Sequence, residues 1–225
     1  MRTDWREAEQ ALGKISVVGD ERNQEVEISG GAEGLSCIGI GTDAAVFRYA
    51  PTPDYAFKIY SDHALHKKTA ERDVYKRLEG IPYFPTLHGE GPNYLVISYE
   101  PGPTLLECLM EGIPVPARAM EDVDEARRLA RERGLNPRDI HLKNVILQNG
   151  RGKVLDVSEY VKEGNDKRWE HLAWAYEKFY AGFEGRRIPE WLLDAVKKSY
   201  LKLDQANLNL EEIAARVNRL LARFK

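Results

Sequence analysis

Apolar and polar positions alternate with several different periods along this chain, and each change of period marks an element. Trp5, Ala8 and Leu12 recur at helical spacing behind Asp4, a residue suited to cap a helix start. Residues 4–12 are therefore expected to form a short helix packed on the rest of the fold. Ile15-Ser16-Val17-Val18 and Val26-Glu27-Ile28 are strand-like, with the polar residues 19–25 as the hairpin loop between them. Gly30, Gly31 and Gly34 loosen the passage into the next unit. There, residues 37–40 and 44–48 read as strands on either side of Gly39 and Gly41, and residues 55–60 as a third. Residues 67–78 carry an apolar stripe of Ala70, Val74, Tyr75 and Leu78 at helical spacing. Residues 94–99 form a continuous apolar run stopped by Pro101-Gly102, as a buried strand would. Helices are expected over 104–110 and over 118–133, the second ended by Gly134.

The second half adds a short hairpin. Val145-Ile146-Leu147 and Val154-Leu155 are brief apolar runs, joined by the turn Gln148-Asn149-Gly150-Arg151-Gly152. Trp169, Leu172, Ala173, Tyr176, Phe179 and Tyr180 have helical spacing and read as a core-facing stripe. Amphipathic helices are expected over 191–203 and 210–224, with Asn209 and Glu212 resembling a capping pair for the last.

The hairpin changes the chemical picture. Asp139 and Asn144 precede its first strand, and Asp156 follows its second. A hairpin returns the chain to its start, so these three polar groups can meet at one end. Asn144 and Asp156 offer the hard oxygens that Mg²⁺ takes, which leaves Asp139 to accept a proton from a hydroxyl. Composition sets limits on the partners. A net charge of −3 gives no reason to expect nucleic acid or an anionic membrane surface as a partner. No apolar run is long enough to span a membrane, and the first ten residues lack the apolar core of a signal peptide. Cys37 and Cys108 are far apart and stand in no metal-binding spacing, so reduced thiols and a cytoplasmic location are expected.

Pro137-Arg138-Asp139, then Asn144, then Asp156 resemble the catalytic loop and metal-binding aspartate of the protein-kinase-like superfamily. Upstream features resemble the same superfamily, in the same order. Gly39 and Gly41 resemble its glycine-rich loop, with Ala44 at the third glycine and Val46 as the valine over the base. Ala56 and Lys58 resemble its strand lysine motif, and Glu71 the helix glutamate that pairs with that lysine. Residues 94–100 resemble its hinge, with Ile97 bordering the deep pocket and the backbone of Ser98 and Glu100 facing adenine. Small bacterial proteins similar to serine/threonine kinases match best.

The resemblance implies an α+β, bilobal fold, with a small β-rich N-lobe and a reduced, mainly helical C-lobe. The expected division is an N-terminal helix-and-hairpin extension over 1–34, the N-lobe over 35–100 and the C-lobe over 101–225. It also implies ATP and Mg²⁺ as cofactors. Gly39, Gly41, Val46, Ala56, Lys58, Ile97, Ser98 and Glu100 would bind the nucleotide. Asn144 and Asp156 would bind the metal, and Asp139, Lys58 and Glu71 would serve catalysis. Three departures stand out. Pro137 replaces a histidine, His141 stands where serine/threonine kinases carry a lysine, and Val157-Ser158 replaces Phe-Gly. The Ala-Pro-Glu motif is missing, and Ser158 and Tyr160 are the only hydroxyls between Asp156 and Trp169. No activation-segment phosphate is therefore expected, and Arg138 is expected to pair with an acidic neighbour such as Glu159. Three readings remain open: a kinase of protein hydroxyls, a kinase of a small metabolite or saccharide hydroxyl, and a pseudokinase that binds nucleotide or a partner without transfer.

Overall fold

The computed structural model describes residues 4–20 and 24–201. The expected helix over 210–224 and its capping pair lie outside the described residues. The first described element is a single 3-10 turn, Trp5–Ala8, capped by the Asp4 carboxylate, which runs into the short helix α1, Glu9–Leu12. Strands β1, Ile15–Val18, and β2, Glu27–Gly30, pair antiparallel as the expected hairpin. Strands β3, Leu35–Ile40, β4, Ala44–Tyr49, and β5, Tyr55–Tyr60, begin the main sheet. Helix α2, Leu65–Arg77, starts two residues before the expected position. Strands β6, Leu87–Glu90, and β7, Tyr94–Ser98, complete an antiparallel sheet of five strands in the order β3-β4-β5-β7-β6.

The two faces of this sheet have different partners. Ala45, Phe47, Phe57, Ile59, Tyr94 and Val96 pack against Ala8, Leu12, Val17 and Val26 of the N-terminal extension. The opposite face, with Ala44, Ala56, Tyr60, Leu95 and Ile97, joins the larger core that includes α2 and the C-terminal half. Both faces of β5 and β7 are largely buried, which is why they read as nearly continuous apolar runs, broken in β5 only by Lys58.

Beyond Pro101-Gly102 the chain is mainly helical. Gly102 has φ 140°, and a Cβ there would lie 2.4 Å from the Leu147 carbonyl oxygen, so only glycine fits this crossing. Helix α3, Leu105–Glu111, has a complete capping box between Thr104 and Glu107. Helix α4, Ala117–Glu132, lies along the hairpin of β8, Val145–Gln148, and β9, Arg151–Val154. The turn of that hairpin is tighter than the sequence suggested. Only Asn149 and Gly150 separate the strands, both at positive φ (52° and 76°), the conformation of a two-residue I′ turn. Asp122, buried on α4, accepts Arg151 Nε at 2.6 Å, Arg151 Nη2 at 2.8 Å and Gly152 N at 3.1 Å, fastening the hairpin to the helix. Helix α5, Arg168–Phe179, buries Trp169, and α6, Glu190–Leu201, is the last described element. The architecture is α+β and bilobal, a β-rich N-lobe followed by a helical C-lobe. No helix among the described residues is long and apolar enough to cross a membrane.

Candidate active site

The pairing register of the sheet lines up one wall of a cleft. Gly39 pairs with Val46, Val46 with Lys58 and Lys58 with Leu95, so one row crosses four strands. The next row, on the same face, holds Arg48, Ala56 and Ile97. Gly39 is not at positive φ, and a Cβ there would make only ordinary contact with Val46. The fold itself therefore does not require glycine at this position. Gly41 donates its N–H to the Ala44 carbonyl at 2.9 Å and accepts from Val26 N at 2.9 Å. The turn between β3 and β4 is thus closed on itself and backed by the N-terminal extension. Asp43 in that turn is held by Lys67 Nζ of α2 at 2.6 Å.

Lys58 projects from β5 toward α2. Its Nζ lies 2.7 and 2.8 Å from the two carboxylate oxygens of Glu71, and 3.3 Å from Asp156 Oδ1, 98 positions further along the chain. The Lys58 side chain is 13% exposed and that of Glu71 is fully buried. Burial opposes the charge on Lys58, but Asp156 and Glu71 outweigh it and lift its pKa above the ordinary lysine range. Burial dominates at Glu71 and raises its carboxyl above the usual value despite Lys58. A third group joins this pair: the Tyr60 hydroxyl donates to Glu71 Oε2 at 2.6 Å, and the Tyr60 ring lies 5.6 Å from Lys58 Nζ. The Tyr75 hydroxyl, also on α2, donates to the Leu155 carbonyl at 3.0 Å, tying the helix to the residue before Asp156.

The opposite wall comes from the loop around the β8–β9 hairpin. Asn144 Oδ1 accepts from His141 N at 2.9 Å, and its Nδ2 donates to the Asp139 carbonyl at 2.7 Å. These two bonds close the loop that runs from Asp139 to Asn144. Asp156 Oδ1 accepts from Ser158 N at 2.9 Å as well as from Lys58. Burial pushes the Asp156 carboxyl upward, but Lys58 and the Ser158 N–H outweigh it and hold it below the ordinary range. Its side chain is 44% exposed, so the carboxylate remains open to the cleft. The donor set suits Mg²⁺: an ionised carboxylate and an amide oxygen, both hard. Among the described residues no group of three or more His, Cys, Asp or Glu could hold a metal ion.

Asp139 stands at φ 57°, an uncommon conformation for a non-glycine residue, fixed by its N–H donating to Asp166 Oδ2 at 2.8 Å. Burial raises the Asp139 carboxyl above its usual range, against the opposing pull of Arg168 and His141. Arg168 Nη1 donates to Asp139 Oδ1.

Elsewhere the expected partners change. Arg138 donates to the Glu163 backbone carbonyl, not to Glu159, whose carboxylate takes Lys162 at 2.6 Å. Glu159 lies inside the turn that Tyr160 N closes on the Val157 carbonyl, and Lys162, three residues on, pairs with its carboxylate. At the hinge, Ser98 N is already committed to the Thr86 carbonyl at 2.8 Å. The Glu100 carboxylate joins Ser98 Oγ at 2.6 Å to Lys153 Nζ at 2.5 Å on β9, a side-chain bridge across the two lobes. Tyr60, Asp166 and Arg168 escaped the reading of the sequence. Tyr60 had a visible signal, since it shares the face of Lys58 two residues on. Asp166 had one too, as an acid just before a helix start.

No family model matches the chain. Over 174 residues, 76% of this chain and 81% of the relative, it is 30% identical to "Putative serine/threonine-protein kinase YrzF" of Bacillus subtilis (strain 168). The chain belongs to the protein-kinase-like superfamily. Among solved structures it is similar to a chain in the co-crystal structure of WbdD and the kinase inhibitor LY294002, at 12% identity and a TM-score of 0.44, over 85% of this chain and 46% of that one. The segment after Asp156 is folded into turns over 158–162 before α5 begins. Tyr160 in that segment is fully buried, and its hydroxyl has no hydrogen-bond partner among the described residues.

Proposed function

We propose that this protein is an ATP- and Mg²⁺-dependent phosphotransferase acting on a hydroxyl. The observation that carries the reading is the convergence of Lys58, Glu71 and Asp156, contributed by a strand, a helix and the residue after a distant hairpin, within 3.3 Å of one ammonium group. Phosphoryl transfer asks a protein for positioning and charge compensation more than for covalent chemistry. Lys58, oriented by Glu71 and Tyr60, would hold the α- and β-phosphates. Gly39, Gly41, Val46, Ala56 and Ile97, with the backbone of Ser98 and Glu100, would line the nucleotide site. Asn144 and Asp156 would hold Mg²⁺, which when bound neutralises developing phosphate charge. The acceptor oxygen attacks the γ-phosphorus, the bond to the β-phosphate oxygen breaks, and Asp139 takes the acceptor's proton. The lobes would divide as 35–100 and 101–225, with 1–34 as an extension on the first.

The acceptor reading with most support is a serine or threonine hydroxyl of a protein, following the name of the Bacillus subtilis relative. A small-molecule hydroxyl is the second reading, favoured by the short, turn-rich segment between Asp156 and α5, which offers little surface for a peptide. Labelled ATP with Mg²⁺ should be offered to the protein alone, to generic protein substrates and to cell metabolites. Label is expected in an acceptor with wild type and not with Asp139→Asn, which should still bind MgATP. MgATP binding without any transfer would leave the pseudokinase reading standing instead.

A further inference from the structure

Arg168 occupies a place that proton transfer alone does not explain. It opens α5, and its position is set by Asp166, whose Oδ1 accepts Arg168 N at 3.1 Å while Oδ2 accepts Asp139 N at 2.8 Å. One carboxylate thus fixes both the helix start and the residue proposed as the base. The guanidinium then lies against Asp139 Oδ1, with its Nε 3.7 Å from Asp166 Oδ2. Asp139 and Arg168 side chains are 35% and 36% exposed, so the pair is reached from solvent. A cation on a carboxylate makes it a poorer proton acceptor. A guanidinium also has five donors in a planar fork, and Asp139 takes one. Among the described residues the other donors of the fork make no hydrogen bond, Nε lying 3.7 Å from Asp166 Oδ2.

We propose that Arg168 is a specificity-determining residue that reads an anionic group, a phosphate or a carboxylate, carried by the acceptor beside its reacting hydroxyl. The inference rests on the phosphotransferase reading and adds the chemical class of the acceptor. The anion takes the free donors of the fork, partly relieving the pull on Asp139, and sets the hydroxyl over the carboxylate oxygen that Arg168 leaves open. A neutral alcohol offers nothing to those donors and leaves the cation on the base.

The test uses the full chain with labelled ATP and Mg²⁺. Small molecules and proteins of a cell extract are each split on an anion-exchange resin at neutral pH, and retained and flow-through fractions are offered separately. The small-molecule and protein arms distinguish the two sources of the anion. Label is expected in a retained fraction. For the acceptor purified from it, Arg168→Gln should raise KM about ten- to hundredfold, the range of a lost charge-assisted bond, with KM for ATP unchanged. Arg168→Lys, which keeps the charge without the fork, should fall between the two and serves if Arg168→Gln does not fold. Label only in flow-through fractions would overturn the inference and leave the phosphotransferase reading intact. So would an equal loss of kcat in Arg168→Gln with KM unchanged, the mark of a residue that only orients Asp139. No label in any fraction would remove both.

Discussion

Tyr60→Phe tests whether the hydroxyl of a buried tyrosine helps to hold the lysine–glutamate pair. The substitution deletes one oxygen and keeps a ring that is 1% exposed, so packing changes little. The oxygen removed donates to an ionised carboxylate at 2.6 Å, deep in the core. A hydrogen bond to a charged group contributes about 1.5–3 kcal/mol. Glu71 keeps both contacts with Lys58, so it is not orphaned, and the loss should stay within that range. For a chain of this length each kcal/mol moves the melting temperature by about 2–4 °C, so Tm should fall by about 3–12 °C. The assay is a thermal melt of wild type, Tyr60→Phe, Glu71→Met and the double variant. If the bond is the cause, Tyr60→Phe should cost much less once Glu71 is already gone, with a coupling above about 0.5 kcal/mol. A melt within a degree of wild type, or the same loss in both backgrounds, would refute the reasoning.

Asp156→Asn should raise the Mg²⁺ concentration needed for MgATP to stabilise the protein, and an unchanged requirement would take Asp156 off the metal. Asp122 should make the fold acid-sensitive. Burial alone would raise its carboxyl, but the Arg151 and Gly152 bonds hold it below the ordinary range. A carboxyl depressed in the folded state gives stability that is full above its unfolded pKa of about 3.9 and is lost as pH falls through the folded value. Urea midpoints of wild type and Asp122→Asn should therefore converge as pH drops below about 4, and a constant gap would show that the carboxylate charge is not the cause. Phosphatase-treated protein should keep its activity, and Tyr160→Phe should fold at least as well as wild type because the hydroxyl it deletes is buried without a partner. A rate lost on dephosphorylation and regained with MgATP would contradict this.

What the sequence could convey depended on how local each cause was. β5 and β7 were legible because burial on both faces writes an apolar run into the chain itself. β6 was not: Leu87-His88-Gly89-Glu90 has one large apolar residue, and it is a strand because β7 offers it an edge to pair with. The hairpin was legible from its apolar runs, yet its turn was drawn too wide, because Arg151 and Gly152 look like loop residues until Asp122 is seen to hold them. At the candidate site, order along the chain was readable and contact was not. Nothing near Arg168 in sequence points to Asp139, 29 positions away, since their meeting depends on where Asp166 ties α5. The Glu100–Lys153 bridge was hidden for the same reason, joining residues 53 positions apart.

The extension that covers the outer face of the sheet also imposes an order on biosynthesis. Ala8 and Leu12 leave the ribosome before the sheet does, but the surface they bury against includes Val96. At about 5–20 residues per second, the chain between Leu12 and Val96 takes roughly 4–17 s to make. Throughout that interval this segment has no finished surface to dock on, and Phe47 and Phe57 emerge into the same wait. These residues, made before the sheet, are thus among the last of the N-lobe to settle. A slowed ribosome should lengthen the period in which this apolar surface is open to chaperones.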